Sequence, residues 1–228
     1  MKNSIKSFVI LVVLCVAFNS GSFAQKTFRG VITLQLSYTG MDAATIAQLP
    51  KTKTVMLYDN LCKERTDYGM AYYDQIQNGD TKMVTFLVAQ GEDKKYFKLN
   101  VEETKLLADK VTDTKITYTS ITKTIAGYIC KQAIINYKNE DGGAEADTVF
   151  YSDEVGSAAL NFGSKYEGLK GYPMEYKVKA GELIISVTIS EIKKGKVKDT
   201  DFLIPSDFTE ATPDEKQQLI DQFTAKEE

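Results

Sequence analysis

Residues 30–40 read GVITLQLSYTG, and their period decides the fold. Ile32, Leu34, Leu36 and Tyr38 fall on one face of an extended chain, with Val31, Thr33, Gln35 and Ser37 on the other. A helix would scatter those four apolar residues around its circumference, whereas a strand lines them up. The alternation returns in GELIISVTISEI, where Leu183, Ile185, Val187 and Ile189 alternate with Ile184, Ser186, Thr188 and Ser190. It returns again in GYPMEYKVK, with Tyr172, Met174, Tyr176 and Val178 opposite Glu175, Lys177 and Lys179. One apolar face and one wetter face mark antiparallel sheet.

Between these anchors lie KTVMLY, CKERTDY, AYYDQIQ, KMVTFLVA, KKYFKL, TKITYTS, YICKQAIINY and DTVFYS. Asn78-Gly79-Asp80, Asp141-Gly142-Gly143 and Ala180-Gly181-Glu182 supply turns, because glycine admits positive φ. The series predicts about ten strands, too many for a flat open sheet. The lysines of EIKKGKVKD (Lys193, Lys194, Lys196, Lys198) predict a charged hairpin that blunts a sheet edge. Helices are few. Thr212-Pro213-Asp214-Glu215 sets an N-cap, a first-turn proline and a capping box, followed by the stripe Leu219, Ile220, Phe223. This predicts a C-terminal helix over about 213–225. Two shorter helices are expected at 101–109, capped by Asn100 with Leu106 and Leu107 facing in, and at 42–48. All three stripes are read as packing against the sheet.

The first residues read as an export leader. Lys2 and Lys6 precede the apolar run FVILVVLCVAF (8–18), and Ser22-Phe23-Ala24 places small residues for cleavage before Gln25. A spanning helix needs about 20 apolar residues, more than this run offers. Leu14 before Cys15 does not fit a lipid-attachment site. The expectation is a leader over 1–24 and one domain over 25–228, with no transmembrane span in the mature chain. The leader takes two of the 28 basic residues and no acidic one, so the remainder is more acidic than the chain's net −3. Such a surface has nothing to draw in a phosphate backbone, and no nucleic-acid partner is expected.

Cys62 and Cys130 remain after the leader. In an oxidising compartment two thiols tend to pair, and a Cys62–Cys130 bridge is the expectation, with two separate buried thiols as the alternative. A reactive thiol ranks third, because the chain contains no histidine to activate it. The same absence removes Ser-His-Asp and Cys-His catalysis and imidazole metal sites. Carboxylates alone can hydrolyse glycosides, and Asp67, Asp74, Glu102, Glu103 and Asp153 are the acids to consider, but their lysine and turn neighbours read as solvated strand edges. NEDGGAEAD (139–147) lacks EF-hand spacing and reads as a hairpin tip. Tyr68, Tyr72 and Tyr73 are a possible aromatic binding face, or plain cross-strand pairs in a β core. No catalytic, cofactor or metal residue is assigned.

TKTIAGYICKQA, TVFYSDE, LKGYPMEYKV and DFLIPSDF follow one another across 122–208. In that order they resemble the exported envelope proteins of unknown function grouped as DUF 4412, typical of Gram-negative bacteria of the Bacteroides type. A sister group carries Gly-Leu-Pro-Gly-Leu-Ile, from which Gly171-Tyr172-Pro173-Met174-Glu175 departs. Cys130 matches the recurring cysteine of the family; Cys62 has no counterpart. The resemblance implies a fold similar to the lipoprotein carriers LolA and LolB: a strongly curved antiparallel sheet forming an unclosed barrel, helices covering its concave side. It brings no catalytic residue with it.

The combined expectation is a mainly β, α+β envelope protein, exported to the periplasm or cell surface and not an enzyme. It would bind an apolar ligand, a lipid or acyl chain, on a concave face lined by Ile32, Leu34, Leu36, Leu183, Ile185, Val187 and Ile189. The alternative is a structural or protein-interaction module whose core its own helices fill. An envelope protein partner and peripheral membrane contact fit either, and no cofactor is implied.

Overall fold

The computed structural model describes residues 28–67, 71–107 and 111–224. The leader with Ala24 and Gln25, and also Tyr68, lie outside that set, as do the side chains of Leu106, Leu107 and Phe223.

Among the described residues twelve strands form one sheet. A first meander comprises β1 (Arg29–Thr39), β2 (Thr52–Tyr58), β3 (Leu61–Asp67), β4 (Ala71–Asn78), β5 (Met83–Gln90) and β6 (Asp93–Leu99). A second comprises β7 (Thr112–Ile125), β8 (Tyr128–Lys138), β9 (Ala144–Ser152), β10 (Tyr172–Ala180) and β11 (Leu183–Lys194). Antiparallel pairing of β1 with β11 sews the meanders together. The order is β12-β6-β5-β4-β3-β2-β1-β11-β10-β9-β8-β7, with β12 (Thr209–Glu210) parallel to β6. No pairing joins β7 to β12 or β6 among the described residues, so the sheet stays unclosed. It is also curled: β7 touches β11 across three intervening strands, and Lys123 of β7 reaches Glu175 of β10 at 2.6 Å.

The expected turns join β4 to β5, β8 to β9 and β10 to β11. The helices lie where their caps predict. Asp42 caps α1 (Ala43–Gln48) by accepting from the amides of Ala44 and Thr45. Asn100 and Glu103 form a reciprocal box at α2 (Val101–Leu107), and Thr212 and Glu215 do so at α3 (Pro213–Thr224). The lysine-rich stretch corrects its reading. β11 lies between β1 and β10 and has no free edge, so no hairpin follows it. Instead residues 195–208 cross the sheet, burying Val197, Phe202 and Phe208 against Ile76, Leu87 and Ala89. They then cover the edge of β6 with β12, which removes a row of unpaired backbone groups.

Direct cross-strand partners share a face. Ile32, Val55, Glu64, Gln75, Phe86 and Phe97 form one such rung across β1–β6, and Gly30, Leu57, Cys62, Gln77, Val84 and Leu99 the next. The opposite face is the one crossed by 195–208. On the rung face Leu219 and Ile220 of α3 pack on Val88, Phe97 and Leu99. The centre of that face is covered by an irregular strap, residues 153–171, which contains a short 3-10 helix at Ala158–Asn161. Val155 and Leu160 pack with Ile32, Leu34, Val55, Leu57, Met174, Val187 and Ile189. Tyr166 and Leu169 pack with Ala133, Ile135, Tyr137, Val149 and Tyr151 of β8 and β9. Close fit demands glycine at Gly156, where φ is +63° and a Cβ would stand 2.8 Å from Cγ of Tyr172.

The anticipated Cys62–Cys130 bridge is not formed; both are free, buried thiols. Six positions in the strand order separate β3 from β8, and Cys130 donates to the carbonyl of Tyr128 on its own strand. Each sulfur serves as a small apolar filler of the same core cluster.

Candidate functional site

The seven apolar residues expected to line a concavity do alternate onto one face, but they do not share one environment. Ile32, Leu34, Val187 and Ile189 are buried under the strap, so the protein's own chain occupies the space beside them. Leu36, Leu183 and Ile185 are only partly buried, and all three lie beyond the strap at one end of β1 and β11. Leu36, Val187 and Tyr176 form one rung, and Tyr38, Ile185 and Val178 the next. The apolar face therefore runs from a sealed centre to an accessible end without a break.

Polar residues meet on the same face from across the curl. Cys62 of β3 and Tyr172 of β10 stand four places apart in the strand order, yet the Tyr172 hydroxyl lies beside the Cys62 thiol. Side chains from strands so far apart meet only on the inside of a curled sheet. Glu64, next but one to Cys62 on β3, pairs with Lys53 of β2, both side chains about a quarter exposed (25% and 27%). Tyr176 of β10 packs against both core clusters and takes an edge-to-face contact from Tyr166 of the strap at 5.7 Å.

Tyr172 and Tyr176 are partly buried. The Tyr176 hydroxyl has no hydrogen-bond partner among the described residues, and it is not sealed from solvent. Burial pushes the phenols of Tyr176 and Tyr172 well above the ordinary tyrosine range, and the nearby Glu64 adds to this. Burial likewise raises the Cys62 thiol, so neither the phenols nor the thiol ionises near neutral pH. The chemistry on offer is hydrogen bonding and apolar contact, not nucleophilic attack.

The acids considered for catalysis are dispersed, each with separate duties. Asp74 corrects its reading as a solvated edge: it is 1% exposed and takes both nitrogens of the Arg65 fork at 2.6 and 2.7 Å. Glu102 pairs with Lys105, Glu103 with Lys216 and Asp153 with Lys131. Asp67 ends β3, exposed. No cluster of metal-binding residues occurs among the described residues. Tyr72 lies under the Arg65 guanidinium, 4.2 Å from ring centre, on the face away from the strap.

Sequence reading missed the strap and the polar lining. DEVGSAALNFGSKYEGLKG (153–171) carries Val155, Leu160, Phe162, Tyr166 and Leu169 among four glycines, a density of apolar residues too high for a solvated loop. That density was the available signal. Searches with known family models find none that matches the chain, and no curated protein matches it either.

Proposed function

We propose that this is a non-enzymatic binding protein of the cell envelope, holding an apolar ligand such as a lipid or acyl chain against the accessible end of its inner face. The leader-like residues 1–24 support export, to the periplasm or cell surface. No helix among the described residues is long and apolar enough to cross a membrane. In this reading the strap closes the centre of the concave side and α3 closes the part over β5 and β6. The ligand lies on Leu36, Ile185 and Leu183. The observation that carries the reading is the continuity of half-buried Leu36 and Ile185 with the core, next to Tyr176, a partly buried tyrosine whose hydroxyl has no hydrogen-bond partner among the described residues. Each CH₂ buried there contributes about 0.8 kcal/mol.

Native mass spectrometry of gently purified protein, with uptake of the uncharged apolar dye N-phenyl-1-naphthylamine, tests this. Bound mass and dye fluorescence that Ile185→Glu abolishes are expected. Repeated preparations with a bare mass and no dye uptake would refute it. The second reading, an envelope interaction module, draws on the burial of Ile32, Leu34, Val187 and Ile189 under the strap. It predicts a folded Ile185→Glu protein that keeps every partner, and no dye binding in either form.

A further inference from the structure

We propose that the outer edge of β7 is a self-association surface, on which a second copy of this chain adds its own β7 antiparallel, about a two-fold axis at Tyr118. The inference is independent of the ligand reading and stands or falls without it.

The two ends of the sheet are finished differently. At β6 the alternate carbonyls of Lys94, Tyr96 and Lys98 all accept hydrogen bonds, from the Thr209 hydroxyl, the Ala211 amide and the Lys216 ammonium. β7 is 14 residues long and pairs on one side only, with β8. Among the described residues its backbone bonds to β8 and to its own Thr119 hydroxyl, and to nothing else. It carries six threonines, three isoleucines and a tyrosine, with no proline or glycine, a composition that favours pairing. Ile121 is 54% exposed on it. A long open edge of this kind is a template for another strand. Lys115, Lys123 and two irregularities in the pairing with β8, between Thr112 and Lys115 and between Tyr118 and Thr122, turn away an arbitrary strand. The charges say which strand is accepted. About a two-fold axis at Tyr118, Asp113 faces Lys123 of the second copy, twice over, and Lys115 faces Ile121. A slide of two residues one way sets Lys115 against Lys123, and the other way leaves Asp113 against Ile121. Within its own chain Asp113 pairs with Lys138 and Lys123 with Glu175, so the contact joins accessible pairs into a row of alternating sign. Such pairing uses the open edge of each copy and leaves both ends of the combined sheet capped by β12, so assembly stops at two. A contact of one strand lies at the small end of specific interfaces, which makes the dimer weak and concentration-dependent.

Sedimentation velocity of the purified protein over a concentration series tests this, with hydrogen exchange of residues 112–125 read by mass spectrometry at both ends of the series. A monomer–dimer equilibrium is expected, with exchange over 112–125 slowing as the dimer forms. Ile121→Lys sets two like charges against Lys115 and should raise the dimer Kd about tenfold relative to Ile121→Glu, which sets opposite charges there. The substituted side chain is exposed and belongs to no core cluster, and circular dichroism confirms that both variants fold. Protein that stays monomeric up to about 1 mM would overturn the proposal. So would a dimer that leaves exchange over 112–125 unchanged, or one to which the lysine and glutamate variants bind equally well.

Discussion

Asp147→Asn should unfold this protein more easily by about 3 kcal/mol, and the reason lies under the strap. The Lys165 ammonium donates to Asp147 Oδ2 at 2.8 Å, with side chains 4% and 12% exposed. Tyr137 donates to the same oxygen at 2.9 Å. Removing the carboxylate charge takes the Asp147 ion pair from the buried ammonium, a loss of about 3–5 kcal/mol in comparable pairs. The rings of Tyr137 and Tyr166, 5.4 and 5.7 Å from the ammonium, offset roughly 1–2 kcal/mol of that. Lys165→Met removes the charge and keeps most of the volume. Asp147 then retains the Tyr137 hydroxyl, so the cost should be smaller, about 1–2 kcal/mol. Asp147→Leu combined with Lys165→Met replaces the pair by apolar groups and should cost less than Asp147→Asn alone. Urea unfolding followed by circular dichroism, with the slope checked for constancy, gives the three values. If Asp147→Asn costs under 1 kcal/mol, or the double substitution costs as much as Asp147→Asn and Lys165→Met together, the pair does not latch the strap and the reasoning fails.

Gly156→Ala forces a Cβ onto a left-handed residue and into the Tyr172 ring, and should destabilise by about 1–3 kcal/mol in thermal or urea melts; a neutral result would mean that the strap yields there. Both thiols should be silent to a thiol reagent in the folded protein and titrate as two on unfolding, since Cys62 and Cys130 are free and buried; loss of either by bridging, seen without reductant, would contradict this. Stability should fall as pH rises above about 9: burial raises Cys62, Tyr172 and Tyr176 in the folded state, so the unfolded chain loses those protons first. The contribution is complete below the unfolded pKa values and lost towards the folded ones, and a stability profile flat to pH 11 would refute it. At acid pH the opposite sign holds for Glu103, which Lys216 holds below its ordinary value: its contribution is present above the unfolded pKa and lost as pH falls through the folded one. Protection factors of the α3 amides, corrected for intrinsic exchange at each pH, should fall below about pH 4.

Period and capping made much of this fold legible. Strands such as GVITLQLSYTG declare themselves because a sheet face buries every second residue, and α2 and α3 because Asn100-Glu103 and Thr212-Glu215 satisfy the first amides of a helix. The strap has no period. Its residues are fixed by contacts with strands outside it, Lys165 by Asp147 of β9 and Val155 and Leu160 by Ile32, Leu34, Val55 and Leu57 of β1 and β2, and no local pattern encodes such partners. The lysines after β11 misled for a related reason. A charged turn normally ends a hairpin, but Val197, Phe202 and Phe208 gave residues 195–208 a better use in covering the far face of β1–β6. The cysteine pairing failed because strand membership says nothing about which strands the curl brings together.

The site was half legible for the same physical reason. Alternation identifies which residues face inward, and all seven apolar candidates do belong to alternating strands. It cannot tell what lies opposite them. A curled sheet of twelve strands has more inner apolar face than three short helices can cover, so some other part of the chain must lie on it. The strap does so where Ile32, Leu34, Val187 and Ile189 are buried, and it is held there by a buried ion pair that resists displacement. A ligand that had to push the strap aside would forfeit both that pair and the burial of Val155, Leu160 and Leu169, each worth about 1.5–3 kcal/mol. On the proposed reading a ligand enters only at the end where Leu36 and Ile185 lie, and the self-filled core and the proposed site are two consequences of one segment's length.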